Sequence, residues 1–196
     1  MNPLKIKPFT LRILLLCACL LVMIACTEET YGQDNGTAHF ESGLKAVDVN
    51  NMPLAYKEFL ASAKEGHAYS QYNVALMYEQ GLGVSKNDKE AFFWYGKSAS
   101  QGNSGAQFNL GVLFENGRGT KIDFAKANEW YRKASVQGDG LAVGNLGMLY
   151  IRGQGVKVNM VAGVALLLLS TAMDTSPENQ AKNNISATRG LTTAMV

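Results

Sequence analysis

Few residues of this 196-residue sequence are of types that carry out chemistry. The only histidines are His39 and His67, and neither stands at a spacing that would place it beside a recurring serine or cysteine. A nucleophile–histidine pair or a histidine-rich metal site would need such a grouping. The sequence therefore predicts no catalytic residue, no metal site and no cofactor.

Two carboxylates, Glu79 and Glu115, occupy matching positions 36 residues apart. On successive helices of one array they would share a face, where paired carboxylates can act as an acid and a base. We favour the simpler interpretation that both are solvated charges at helix ends. The glycines that follow them are not a phosphate loop, because no Gly-Lys-Ser/Thr comes after them. The chain is therefore predicted not to be an enzyme.

The N-terminal segment contains all three cysteines, Cys17, Cys19 and Cys26. Basic residues precede an apolar run over residues 13–25, which is typical of an export signal. Spanning a bilayer takes about 20 residues, so a permanent transmembrane helix is the weaker alternative. The folded part that follows has no cysteine and must be held together by packing alone.

Residues 22–26, Val-Met-Ile-Ala-Cys, resemble the lipobox of bacterial lipoproteins, in which a small residue precedes a cysteine that is lipidated and becomes the mature N-terminus. Met23 stands where leucine is usual, residues 16–19 are a poorer second candidate, and an ordinary cleaved signal peptide is the alternative. The resemblance implies a signal peptide over 1–25, lipidation of Cys26, and a flexible tether over 26–36. It also implies a periplasm-facing lipoprotein of the cell envelope. Thr27 instead of Asp after the cysteine favours the outer membrane.

The charge of the mature chain differs from that of the whole sequence. Removing Lys5, Lys7 and Arg12 from the 18 basic residues leaves 15 against 16 acidic ones, so the net charge falls from +2 to −1. The apparent basicity belongs to the export signal. No basic footprint remains that would predict binding to nucleic acid.

The rest of the chain repeats itself every 36 residues, and such a period is typical of a helical array. A pair of glycines recurs in register, and a small residue followed by an aromatic recurs in the second half of each unit. The polar residues Asn51, Asn87, Asp123 and Asn159 are predicted to cap the second helix of each unit. The recurring positions that we assign to structure are Gly81, Gly83, Ala91, Trp94, Gly117, Gly119, Ala127, Trp130, Gly153 and Gly155.

Asn-Leu-Gly-x-x-Phe at 109–114, Asn-Leu-Gly-x-x-Tyr at 145–150 and Ala-x-x-Trp-Tyr at 91–95 resemble Sel-one-like repeats, relatives of tetratricopeptide repeats. The resemblance implies an all-α fold, an α-solenoid of antiparallel helix pairs. We divide it into a divergent N-terminal capping helix pair at 37–67, repeats at 68–103, 104–139 and 140–175, and a C-terminal capping helix at 176–196. The apolar stretch 160–169 is expected to be a fully buried helix, covered by a mostly polar helix over 177–195.

The family resemblance also implies that first helices line a concave groove. In such a groove, mixed aromatic, amide and charged side chains suit an extended peptide or a partner helix. The predicted function is a scaffold or adaptor that binds a protein or peptide partner. An accessory subunit in peptidoglycan or exopolysaccharide metabolism, and a structural element that binds through its outer face, are the alternatives. The predicted groove residues are Tyr69, Tyr72, Glu79, Gln80, Phe108, Glu115, Asn116, Met148, Ile151 and Arg152.

Overall fold

A computed structural model describes residues 36–174, 179–181 and 184. The predicted signal peptide, Cys26, the tether up to residue 35 and most of the predicted C-terminal capping helix lie outside these residues. The described helices are α1 (Thr37–Asp48), α2 (Met52–Lys64), α3 (Ala68–Gln80), α4 (Asp88–Ser100), α5 (Ser104–Asn116), α6 (Phe124–Val136), α7 (Gly140–Arg152) and α8 (Met160–Met173).

The helices stack in chain order, each packed on the helix before it and the helix after it. Within the described ranges there is no strand, and the predicted all-α solenoid of helix pairs is confirmed. We call α3, α5 and α7 the first helices, and α4, α6 and α8 the second helices, of three successive pairs. None of the described helices is long and apolar enough to cross a membrane.

Both kinds of helix begin at a polar residue that recurs every 36 positions. The predicted caps of α2, α4, α6 and α8 are confirmed, because each side chain accepts a hydrogen bond from a backbone N–H in the first turn. The first helices begin at His67, Asn103 and Asp139, whose side chains do the same. Our sequence analysis missed this second column of caps, although its period is the same.

The glycine loops fix how closely successive pairs approach. Gly119 has a φ of +69°, and a methyl group at its Cα would collide with the Asp88 carbonyl of the preceding pair. Gly83 and Gly155 make the same approach to Met52 and Phe124. The second glycine of each loop is therefore needed both for its left-handed backbone and for its lack of a side chain.

Small and aromatic residues share the interior of the stack. Ala91 and Ala127 are fully buried, and Trp94 is only 7% exposed. Gly147 lies so close to α8 that its Cβ position would be 2.8 Å from the Gly163 carbonyl oxygen. Trp130 is partly buried against the same core, with the Lys133 ammonium 3.9 Å above its ring.

The prediction that residues 160–169 are fully buried is wrong. Val161 is 82% exposed, Leu168 55% and Leu169 50%. The reason is that α8 has only one packed side, formed by Gly163, Leu167 and Ser170. Its other side points outward, like the outer sides of the second helices before it.

Candidate functional site

The two carboxylates that could have formed an acid–base pair are each bound to a tyrosine. Tyr95 donates its hydroxyl hydrogen to Glu79, and Tyr131 donates to Glu115, both over 2.7 Å. Burial, together with the neighbouring carboxylate, raises the pKa of both tyrosines well above the ordinary value. Our interpretation of Glu79 and Glu115 as solvated charges is wrong, because each side chain accepts a hydrogen bond from the core.

A cation completes the first of these two pairs. Arg118, in the loop after α5, places Nη1 2.7 Å from Glu79 and Nη2 2.8 Å from Asp88 at the start of α4. The hydrogen bond from Arg118 lowers the pKa of Asp88 below its ordinary value. This cluster holds two repeats together, and its polar groups are satisfied by one another.

A pair of glutamines repeats along the stack. Gln101 Nε2 donates to Gln71 Oε1 over 2.7 Å, and Gln71 in turn donates to the Ala63 carbonyl over 3.1 Å. One repeat later, Gln137 donates to Gln107 over the same 2.7 Å. These amides join each second helix to the first helix of its own pair, so they too serve the fold.

The part of the first helices that stays accessible forms what we call the first-helix face, the exposed side of α3, α5 and α7. Tyr69 is 63% exposed. Tyr72 and Phe108 are half-buried, with ring centroids 5.8 Å from Tyr95 and 6.0 Å from Tyr131. Both rings thus pack between helices and still present an edge to solvent. Of the other predicted groove residues, those at the surface are Gln80, Asn116 and Arg152, and those partly buried are Met148 and Ile151.

A cavity of about 320 Å³ opens on this face between α5 and α7. Residues of α5 and α7 line one part of the cavity, and residues 179–181 with Asn184 form a second wall. The residues from the two helices are Phe108, Leu141, Gly144 and Asn145. Asn179 holds that second wall in place, because its Nδ2 donates to the carbonyls of Ser170 and Asp174. Of the predicted groove residues, the structure brings only Phe108 to this cavity.

A histidine does contact a serine, contrary to our expectation from spacing. His67 Nδ1 lies 2.8 Å from Ser70 Oγ, which lies 2.6 Å from Ser62 Oγ. Both serines are fully buried, and His67 is the residue that caps α3. The arrangement is that of a helix cap within the packed interior. Within the described residues, no three His, Cys, Asp or Glu side chains are grouped so that they could hold a metal ion.

The sequence profile of the Sel1 repeat matches residues 68–103, 104–139 and 141–174, together more than half of the chain. The chain belongs to the Sel1 repeat family. This confirms the resemblance to Sel-one-like repeats, and proteins with Sel1 repeats are generally scaffolds for protein interaction. No curated protein sequence matches the chain.

Two solved structures support the fold of this Sel1 repeat protein. A Sel1 repeat protein from Oxalobacter formigenes is 30% identical with a TM-score of 0.71, over 80% of this chain and 65% of that one. The protective antigen c5321 of uropathogenic Escherichia coli, described as having an SLR fold, is 27% identical with a TM-score of 0.70, over 78% of this chain and 33% of that one. The chain thus spans less than two thirds of either relative.

Proposed function

We propose that this Sel1 repeat protein is an adaptor of the cell envelope that binds a protein or peptide on its first-helix face. A lipid on Cys26 would hold it at a membrane, the outer membrane by our expectation. The observation that carries the proposal is the cavity lined by both Phe108 and Asn145. An apolar wall with a few polar groups suits a side chain of a bound peptide.

The chemistry left open on this face supports binding over catalysis. The carboxylates of Glu79 and Glu115 are occupied by tyrosine hydroxyls, and Arg118 is occupied by two carboxylates. What a ligand can reach is aromatic surface, amides and exposed helix ends such as Gln80. Aromatic side chains also contribute most at protein interfaces.

Capture of partners by the tagged full chain from solubilised membranes tests the proposal. Replacing Tyr69 and Phe108 by alanine should lower the amount of each specifically captured protein at least about tenfold, as expected for the loss of two aromatic contacts. Phe93→Ala removes an equally large, half-exposed ring from the second helix α4 and should leave capture unchanged. Equal capture by all three folded proteins would refute binding on the first-helix face.

Localisation is tested separately with Cys26→Ser. If Cys26 is lipidated, the wild-type chain should fractionate with membranes and label with a radioactive or clickable fatty acid. The variant should lose the label. Labelling that persists in Cys26→Ser would show that the lipid is attached to another residue.

A further inference from the structure

The outer side of α8 is apolar where the outer side of α6 is charged. Four exposed or half-exposed positions one repeat apart differ in the same sense, and α8 contains no Asp, Glu, Lys or Arg over Met160–Met173. These pairs are Lys126 and Ala162, Glu129 and Ala165, Arg132 and Leu168, and Lys133 and Leu169. A solvated position favours charge, so the consistent replacement by aliphatic residues indicates a face that is covered.

An open groove of about 480 Å³ runs beside this side of α8. Leu166 stands in the position of Trp94 and Trp130, and the smaller side chain leaves the space between α6 and α8 unfilled. Arg132 and Ser135 line one part of the groove, and the rest of its lining is mostly apolar. Its walls include Val136, Leu146, Tyr150, Ala162, Ala165 and Leu166.

The outward residues of α8 have the spacing of a helix–helix seam. Val161, Ala165, Leu168 and Ala172 follow one another at intervals of four, three and four residues, as in the contact stripe of paired helices. Large and small residues alternate along it. If an identical helix lies antiparallel with its centre between residues 166 and 167, Val161 faces Ala172 of the other copy and Ala165 faces Leu168. Every contact in that register sets a large side chain against a small one.

Charge and area fit the same occupant. The stripe contains no charged residue that burial would leave unpaired. A specific interface buries at least about 1,200 Å² in total, so the exposed apolar side chains on and beside α8 must contribute about 600 Å² per copy. They are Val136, Val158, Val161, Leu168, Leu169 and Met173.

From these observations we propose that a second copy of this chain docks on α8. The two α8 helices lie antiparallel about a two-fold axis, and Leu168 of each copy enters the groove beside Ala165 of the other. Such an interface is self-complementary, as two-fold symmetry requires. It leaves the first-helix face of both copies open, and it does not depend on the proposed adaptor function.

Disulfide trapping of the full chain in cells tests the register. Two differently tagged copies are co-expressed, one with Ala165→Cys and one with Leu168→Cys, and Cys17, Cys19 and Cys26 are changed to Ser in both. Oxidation should give a covalent dimer carrying both tags, because the facing Cβ atoms would lie within disulfide reach. Val161→Cys with Ala172→Cys, the other facing pair of this register, should behave alike. Lys97→Cys on α4, used as a control in both copies, should remain monomeric.

The second test places on α8 a charged residue that α6 carries at the matching position. Leu168→Arg introduces the residue that α6 carries at the same position, where the helix tolerates it. It should lower trapping through the Val161–Ala172 cysteine pair at least about tenfold, whereas Phe93→Lys on α4 should not. The proposal is overturned if no dimer is trapped, or if Leu168→Arg leaves trapping unchanged in a chain with wild-type helicity. It is also overturned if lipid vesicles, and not a second chain, shield the α8 cysteines from a thiol reagent.

Discussion

The guanidinium of Arg118 joins the Glu79 carboxylate across a repeat boundary, with Nη1 2.7 Å from Oε1. The same guanidinium reaches Asp88, and Glu79 also receives the Tyr95 hydroxyl. The matching loop positions in the neighbouring repeats are Leu82 and Gln154, which cannot form this ion pair. Arg118 is therefore the side chain whose charge ties the α5–α6 loop to both α3 and α4.

We expect Arg118→Gln to destabilise the chain by about 1–2 kcal/mol. The variant leaves two carboxylates without their cation, and both are partly shielded from solvent, so the loss should exceed that of a surface pair. Gln154 shows that the loop accepts glutamine at this position. The change is measured as the shift in the midpoint of urea denaturation at a constant slope.

The matched control is Lys126→Gln. Its ammonium lies 3.6 Å from Asp123, and the lysine side chain is mostly exposed, so we expect a change below about 0.5 kcal/mol. Equal losses in the two variants would mean that the cluster around Arg118 contributes no more than a surface ion pair.

Asp139→Asn should raise stability at neutral pH. Burial raises the pKa of Asp139 in the folded chain, although its carboxylate accepts the Ala142 N–H over 2.8 Å. Because the pKa is higher in the folded chain, ionisation of Asp139 lowers the free energy of unfolding. This loss is absent below the unfolded pKa of about 3.9 and is complete above the folded pKa. Asparagine keeps the cap, as Asn103 does for α5. The advantage of the variant should therefore vanish on acidification, measured by urea denaturation from neutral pH down to below the unfolded pKa.

Asp88→Asn should show the opposite sign. The hydrogen bond from Arg118 lowers the folded pKa of Asp88, so the contribution of the carboxylate is present above the unfolded pKa and is lost as the pH falls through the folded pKa. The variant should be less stable than wild type at neutral pH and should approach it in acid. Parallel pH profiles for wild type and Asp88→Asn would contradict the assignment.

The 36-residue period predicted the solenoid, because each repeat of the backbone requires the same residue types at the same places. Caps, loop glycines and small contact residues each meet one requirement at one place in every unit, so their columns were readable from the sequence. The side-chain clusters were not. Arg118 occurs in one repeat, and its two acceptors are 30 and 39 residues away, so only the folded chain shows that they meet.

The error over α8 has a different origin. Hydrophobicity predicts that a side chain leaves water, but it does not say which surface covers it. The outward stripe of α8 and its buried side are equally apolar in the sequence. The two sides differ in their counterparts one repeat earlier. The outward Ala165, Leu168 and Leu169 match charged residues of α6, whereas no buried position does.

Tyr131→Phe should cost about 1 kcal/mol. The change deletes the donor to Glu115 and the acceptor for the Asn145 amide, and it leaves the carboxylate half-buried with one partner fewer. The ring itself stays, so its packing against Gly111 is retained. Tyr69→Phe, at a mostly exposed site, should change the free energy of unfolding by less than about 0.5 kcal/mol. Chemical denaturation of both variants makes the comparison, and a neutral Tyr131→Phe would show that the hydrogen bonds add nothing.

Gly119→Ala should destabilise the chain far more than Gly138→Ala, although both glycines have positive φ, +69° and +91°. A side chain at Gly138 meets no atom within 4 Å, so only the unfavourable backbone conformation counts, about 1–2 kcal/mol. At Gly119 the added methyl collides with the Asp88 carbonyl, and the loop must also move away from α4. We expect a loss above about 3 kcal/mol, including the Arg118 contacts that the loop positions. Thermal and urea unfolding measure the loss in free energy of unfolding for each variant. Similar losses would show that backbone strain alone, and not the close approach between repeats, requires glycine at position 119.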